Sequence, residues 1–264
     1  MNDLKYVTSD ERNPLIIDFG NGIKIGTEEP VLIAGPCAIE DLCQMEQVAK
    51  AIAKAGTHFI RGGAFKPRTS PYSFQGLGEE GLKIIRQVAD QNGLKVVSEV
   101  MDTRDVDLVA HYVDMIQIGS RNMQNFALLK EIGKQRKPVL LKRGMTATIE
   151  EWLSAAEYIA YEGNENIVLC ERGVRSFDTI TRNMLDLAAV PIIQSISRLP
   201  IIVDPSHGTG RRELIMPMTK AALAAGANGI MVEIHPVPDE SVSDKEQALG
   251  IPEFENLVKI VRSR

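Results

Sequence analysis

The feature that most restricts this chain is a regular beat of short apolar runs, each separated from the next by an amphipathic stretch. The runs are "PVLIAG", "THFIRGG", "LKVVSEV", "VDMIQIG", "PVLLKRG", "NIVLCERG", "LPIIVDP" and "NGIMVEIHP". They are rich in Val, Ile and Leu without polar alternation, as expected of strands buried on both faces in a parallel sheet. Between them lie segments of helical period such as "QMEQVAKAIAKAG" and "GLKIIRQVADQNG". Thr148 and Glu151 read as a capping box at one helix start, and Gly56, Asn92-Gly93 and Gly226 as helix stops. Eight strand-helix units from about residue 30 onward imply an α/β fold, a closed (β/α)8 TIM barrel. The competing open, doubly wound sheet finds no G-x-G-x-x-G after the first run to support it. Residues 1–29 read as an extension, in which "PLIIDFGNGIKIG" forms a hairpin turning at Gly20-Asn21-Gly22 and closing the N-terminal mouth of the barrel. Residues 30–264 are expected to form the barrel as one domain.

Composition removes several classes of function. A net charge of -5 argues against a nucleic-acid surface, which needs a basic stripe. No apolar segment approaches the ~18 residues of a membrane span, and the polar N-terminus lacks a signal-peptide core. The 3 cysteines (Cys37, Cys43 and Cys170) are too few for a disulfide framework, which suggests a reducing cytoplasm.

In such a barrel the active site lies at the C-terminal ends of the strands. Strand by strand, the reactive or charged residues there are Cys37, Arg61, Glu99, Arg121, Lys142, Arg172, His207 and Glu233. Lys66 and Arg68 follow the second strand, and Arg211 and Arg212 the seventh. A cationic rim in an acidic protein predicts an anionic ligand, phosphate or carboxylate, held by charge-assisted hydrogen bonds. Cys37, Glu99, His207 and Glu233 offer sulfur, nitrogen and oxygen donors to one cavity. That mixture suits Mn²⁺, Fe²⁺, Co²⁺ or Zn²⁺ better than Mg²⁺. Asp239, Glu240 and Asp244 are alternative further ligands, and spacing does not choose among them.

The segments "AGPC", "RGGAFKPRTSPYSFQGLG", "QIGSRNMQN", "LLKRG", "LCERG", "DPSHGTGRR" and "VEIHP" together closely resemble the 3-deoxy-D-arabino-heptulosonate 7-phosphate synthases, in their compact type Iβ subgroup. The resemblance runs from about residue 34 to the last helix. It implies a metal-dependent transferase that condenses phosphoenolpyruvate with erythrose 4-phosphate at the head of the shikimate pathway to aromatic amino acids. It implies one divalent metal ion on Cys37, His207, Glu233 and Asp244, the "SDKEQAL" context selecting Asp244. It places phosphoenolpyruvate among Arg61, Lys66, Arg121, Lys142 and Arg172, and erythrose 4-phosphate against Arg68, Thr69 and Ser70. Glu99 falls near the attacking water, and Lys66 or Lys142 is the expected proton carrier. Asp204 is either a partner orienting His207 or a helix cap. A homodimer or homotetramer is expected, with a separate chorismate mutase as a further partner. Many relatives carry a regulatory domain before or after the barrel; this chain is expected to have no built-in feedback site.

Three rivals stand beside this reading. The sister synthase that takes arabinose 5-phosphate typically reads "KANRS" where this chain has "KPRTS". A Schiff-base aldolase using Lys142 would leave Cys37, His207 and Glu233 without a role. A non-catalytic phosphometabolite-binding barrel would not need both residue sets.

Overall fold

The computed structural model describes residues 4–8, 13–66 and 70–263. A two-stranded antiparallel hairpin comes first, β1 (Ile17–Asp18) and β2 (Lys24–Ile25), turning through Gly20 (φ 80°), Asn21 (φ 54°) and Gly22 (φ 79°). Eight parallel strands follow and close into a barrel. They are β3 (Val31–Gly35), β4 (Phe59–Arg61), β5 (Lys95–Glu99), β6 (Met115–Ile118), β7 (Val139–Lys142), β8 (Ile167–Glu171), β9 (Ile201–Val203) and β10 (Gly229–Glu233). Around them run α1 (Leu42–Lys54), α2 (Glu79–Asn92), α3 (Val106–Tyr112), α4 (Phe126–Gly133), α5 (Ile149–Tyr161), α6 (Ala189–Ile196), α7 (Pro205–Thr209), α8 (Arg212–Ala224) and α9 (Ile251–Arg262). The eight apolar runs of the sequence each contain one barrel strand. The Thr148–Glu151 capping box opens α5, and Gly93, at φ 66°, ends α2 in the left-handed conformation.

Each barrel strand sends alternate residues inward, and the inward set defines both the core and the site. Ile33, Phe59, Val97, Met115, Leu140, Val168, Cys170, Ile202 and Met231 fill the barrel interior. Ile17, Ile23 and Ile25 of the hairpin join that same cluster, and Phe19 meets the Phe59 ring edge-on at 5.0 Å. The hairpin therefore does close the N-terminal mouth. Its isoleucines are worth about 1.5–3 kcal/mol each on burial, which is what keeps so short a sheet in place. Their outward neighbours, such as Val96, Ile116, Leu141 and Ile230, pack against the helices, where Trp152 is fully buried. Cys170 sits in the barrel core, where burial pushes its thiol far above its ordinary pKa. All three cysteines are free, and Cys43 is exposed on α1.

Two residues beyond the inward apolar layer, the same face turns polar. Phe59 leads to Arg61, Val97 to Glu99, Met115 to Gln117 and Leu140 to Lys142. Cys170 leads to Arg172, Ile202 to Asp204 and Met231 to Glu233. The strand period alone thus assembles a polar layer directly above the barrel core.

Candidate metal and anion site

Four side chains at the C-terminal mouth converge. One donor atom each from Cys37, His207, Glu233 and Asp244 lies within 4.8 Å of the others. Cys37 follows β3, whose last residue, Gly35, lies so close to β4 that a Cβ there would meet the Arg61 carbonyl at 1.8 Å. Glu233 ends β10, and its N–H donates to Ser206 Oγ at 3.0 Å. Asp244 adopts the left-handed conformation (φ 55°) at the start of a 3₁₀ turn over Lys245–Gln247, a geometry that Asp tolerates better than most residues. Cys37 Sγ lies 3.1 Å from Asp244 Oδ2, and His207 Nε2 lies 3.0 Å from Glu233 Oε1.

Asp204 performs both of the roles that the sequence left open. Its Oδ1 accepts the His207 N–H at 2.9 Å, capping the one-turn helix α7. Its Oδ2 lies 2.7 Å from His207 Nδ1 and 2.6 Å from Lys142 Nζ. Burial alone would lower the His207 pKa, but the Asp204 and Glu233 carboxylates override it and push it up to about 9. The same imidazolium and Lys142 hold Asp204 well below the usual carboxylate range despite its burial. Ligation of a metal ion through Nε2 would therefore displace a proton from His207. A thiol, an imidazole and two carboxylates fit a borderline divalent ion by their chemistry, with Asp204 orienting the imidazole from behind.

Lys66 and Arg61 contact members of this quartet directly. Lys66 Nζ donates to the Cys37 carbonyl at 2.8 Å and to its Sγ at 3.0 Å. Arg61 Nη1 donates to the Pro36 carbonyl at 2.7 Å and lies 3.3 Å from Glu233 Oε1. Arg172 is buried, and among the described residues no carboxylate stands within ion-pair distance of it. Burial pushes its guanidinium below the ordinary value in spite of the nearby Asp204. A buried cation so placed calls for an anion. Arg121, on the 3₁₀ turn Ser120–Asn122, shares a cavity of about 230 Å³ with Arg175, Gln124 and Thr146. Glu99 accepts from Gln117 Nε2 at 3.1 Å. Ser70 is half-buried on the loop after β4, while Arg68 and Thr69 lie outside the described residues. Arg211 and Arg212, expected on the cationic rim, are engaged elsewhere, with Glu213 and with Asp239 at 3.0 Å. Asp239 is thereby set apart from the quartet. A cavity of about 1560 Å³ opens at the opposite mouth beside His58 and Arg198 and holds none of the strand-end residues.

Sequence reasoning missed Gln117, Arg182, Asn183 and Gln247. Strand parity would have found Gln117. The others come from loops, where Arg182 lies 3.3 Å from Asp244 Oδ1 and Asn183 Nδ2 donates to the His207 carbonyl at 3.0 Å. His235, next but one to Glu233, faces Glu40 at 3.4 Å instead of the quartet.

The profile of the DAHP synthetase I family matches residues 10–263. The chain belongs to that family. A member from Thermotoga maritima, named phospho-2-dehydro-3-deoxyheptonate aldolase, is 53% identical over 244 residues, 92% of this chain and 72% of the relative. The crystal structure of a Thermotoga maritima phospho-2-dehydro-3-deoxyheptonate aldolase superposes with a TM-score of 0.96 at 50% identity, covering 99% of this chain and 76% of that one. A 2-dehydro-3-deoxyphosphooctonate aldolase from Thioalkalivibrio sulfidiphilus is more distant, 31% identical over 258 residues, 90% of this chain and 91% of the relative. The chain is thus an enzyme of this family, nearer to the heptulosonate than to the octulosonate members. Among the described residues, no helix is long and apolar enough to cross a membrane.

Proposed function

We propose that this enzyme condenses phosphoenolpyruvate with erythrose 4-phosphate and water, releasing 3-deoxy-D-arabino-heptulosonate 7-phosphate and inorganic phosphate. The observation that carries the reading is the mixed S, N, O, O quartet set among buried cations on one barrel mouth. A divalent ion held by Cys37, His207, Glu233 and Asp244, of the class Mn²⁺, Fe²⁺, Co²⁺ or Zn²⁺, supplies Lewis acidity to the aldehyde oxygen of the sugar.

The chain's own residues do the remainder. Arg61, Lys66, Arg121, Lys142 and Arg172 bind the carboxylate and phosphate of phosphoenolpyruvate, and Arg68, Thr69 and Ser70 bind erythrose 4-phosphate. Without these cations the two phosphorylated anions would repel each other; held together, C3 of phosphoenolpyruvate reaches the aldehyde carbon. As that C–C bond forms, positive charge develops at C2 and a water adds there. Glu99, steadied by Gln117, orients this water and takes its proton. The resulting hemiketal phosphate then loses phosphate by C–O cleavage. Lys66 or Lys142 delivers the proton that the new hydroxyl requires. A cytoplasmic homodimer or homotetramer, with a separate chorismate mutase as partner, completes the proposal; the half-exposed Phe126 and Tyr158, 4.6 Å apart, offer an apolar face for assembly.

The deciding experiment follows loss of the phosphoenolpyruvate absorbance with chelator-treated enzyme, with and without Mn²⁺, offering erythrose 4-phosphate or arabinose 5-phosphate. Metal-restored turnover with the four-carbon sugar is expected, with the five-carbon sugar slower by about 100-fold or more. Preference for arabinose 5-phosphate would transfer the function to the sister synthase, and full activity after verified metal removal would refute the Lewis-acid step.

A glycine tests Glu99 separately. A Cβ at Gly119 would lie 2.1 Å from Glu99 Oε1, so Gly119→Ala must displace the carboxylate. Turnover is expected to fall by about 100-fold, the usual scale for a lost general base, with KM for phosphoenolpyruvate little changed. Steady-state kinetics checks this, and an unaltered kcat would remove Glu99 from the mechanism.

A further inference from the structure

In each carboxylate of the quartet, the oxygen other than the one facing a fellow member is engaged from outside. Glu233 Oε2 accepts from Gln247 Nε2 at 2.7 Å, while its Oε1 faces His207 Nε2 at 3.0 Å and, more distantly, Arg61 Nη1 at 3.3 Å. Asp244 Oδ1 lies 3.3 Å from Arg182 Nη1, while its Oδ2 faces Cys37 Sγ. The two engaged oxygens are linked, because Arg182 Nη1 also donates to Gln247 Oε1 at 2.8 Å. That bond fixes the glutamine: with its carbonyl end taken by a guanidinium, only the NH₂ end is left for Glu233. Gln247 is buried, and Arg182 is anchored through its own N–H to the Thr209 carbonyl at 2.8 Å. Its neighbour Asn183 is tied to the Gly208 and His207 carbonyls. The loop bearing Arg182 is thus fastened to the helix that carries His207.

We propose that Arg182 and Gln247 act as a clamp that leaves Glu233 and Asp244 one ligating oxygen each, so that the quartet binds a divalent ion through single donors. This rests on the ligand reading above and deepens it. Carboxylates ligate divalent ions through one oxygen or two. If both carboxylates turned bidentate beside Cys37 and His207, the protein alone would fill an octahedral shell and leave the reactants no position. Restricted to one oxygen apiece, they keep the site open, as catalytic metal sites require. Arg182 and Gln247 are in this account positioning residues that touch neither metal nor substrate.

The test uses Co²⁺ as a probe of coordination number in chelator-stripped full-length protein, native and as Arg182→Met, Gln247→Leu and Arg182→Lys. The native protein is expected to show a thiolate-to-cobalt charge-transfer band from Cys37 and the strong visible bands of a four- or five-coordinate ion. At saturating Co²⁺, Arg182→Met and Gln247→Leu are expected to keep the charge-transfer band and show the weak visible bands of a six-coordinate ion. Their turnover is expected to fall by about 10- to 100-fold, the usual effect of losing a partner that orients a metal ligand. Arg182→Lys serves if Arg182→Met fails to fold; its single ammonium cannot reproduce the planar fork, so weakened visible bands are again expected. Variant spectra superimposing on the native one would overturn the clamp whatever the activities. Absence of the charge-transfer band from the native protein would instead bring down the ligand reading, and the clamp with it.

Discussion

Asp204→Asn is expected to lower kcat/KM by about a thousandfold or more and to weaken divalent-metal binding by about 10- to 100-fold. The substitution conserves shape and keeps an oxygen for the His207 N–H, so the cap on α7 survives. It removes the charge that stands 2.6 Å from Lys142 Nζ and 2.7 Å from His207 Nδ1. With its oxygen held by the His207 N–H, the amide turns its NH₂ toward Nδ1 and can only donate to it. Donation would fix the tautomer that carries its proton on Nε2, the atom facing Glu233 and the quartet. Lys142, itself buried, loses its ion-pair partner at the same time. Breaking a buried pair by removing one partner typically costs about 3–5 kcal/mol. Three readouts separate these effects: urea unfolding of stripped protein, calorimetric titration with Mn²⁺, and steady-state kinetics at saturating metal. A variant within tenfold of native kcat/KM would show that Asp204 is a helix cap and nothing more.

Asp204 also shows where sequence reading reaches its limit. The barrel was legible because buried parallel strands must be continuously apolar, and the eight runs between helical segments left one closed topology. Cys37, His207 and Glu233 of the candidate quartet were legible because such a fold gathers functional side chains at and just beyond the strand ends of that mouth. Asp244 was not selected by spacing, since it sits on a loop with two other acids nearby and is chosen by a backbone at φ 55°. Arg182 and Gln247 carry no period at all; their meaning depends on one loop being pinned to α7 and on the following 3₁₀ turn. The one-turn helix α7 was hidden for a different reason. Its five residues are too few to show an apolar face, and Asp204-Pro205 reads equally well as a strand terminus.

The second large effect lies behind the site rather than in it. Arg143 and Glu171 fall on the outward face by the same strand parity, between barrel and helices. Arg143 Nη1 lies 2.9 Å from Glu171 Oε2 and 2.8 Å from Asp186 Oδ2, its Nε donates to the Ala147 carbonyl at 3.0 Å, and its guanidinium sits 5.8 Å from the Trp152 ring. Each is the chain neighbour of a site cation, Arg143 of Lys142 and Glu171 of Arg172. Glu171 also accepts the Gly173 N–H at 2.6 Å, which fixes the turn that presents Arg172. Arg143→Met keeps the stem packed but leaves a fully buried carboxylate without its guanidinium, and a loss of about 3–5 kcal/mol at neutral pH is expected.

The pH dependence gives this loss its signature. Burial pushes the Glu171 pKa above its ordinary value even with Arg143 and the Gly173 N–H opposing it. A carboxyl whose folded pKa exceeds its unfolded one binds more protons in the native state, so its effect is a stability that falls as pH rises through that interval. Removing Arg143 raises the folded pKa further and extends the interval upward. The deficit of Arg143→Met relative to native is therefore expected to shrink as pH falls toward about 5, near the unfolded carboxyl value, and Arg143→Met/Glu171→Gln is expected to recover most of the loss and the steeper slope. Because Arg172 is displaced while the metal quartet is untouched, KM for phosphoenolpyruvate should rise more than kcat falls. Urea unfolding between pH 5 and 8 with parallel kinetics checks both. A deficit independent of pH would mean that Glu171 is not the group left unpaired, and that Arg143 acts through its packing on Trp152.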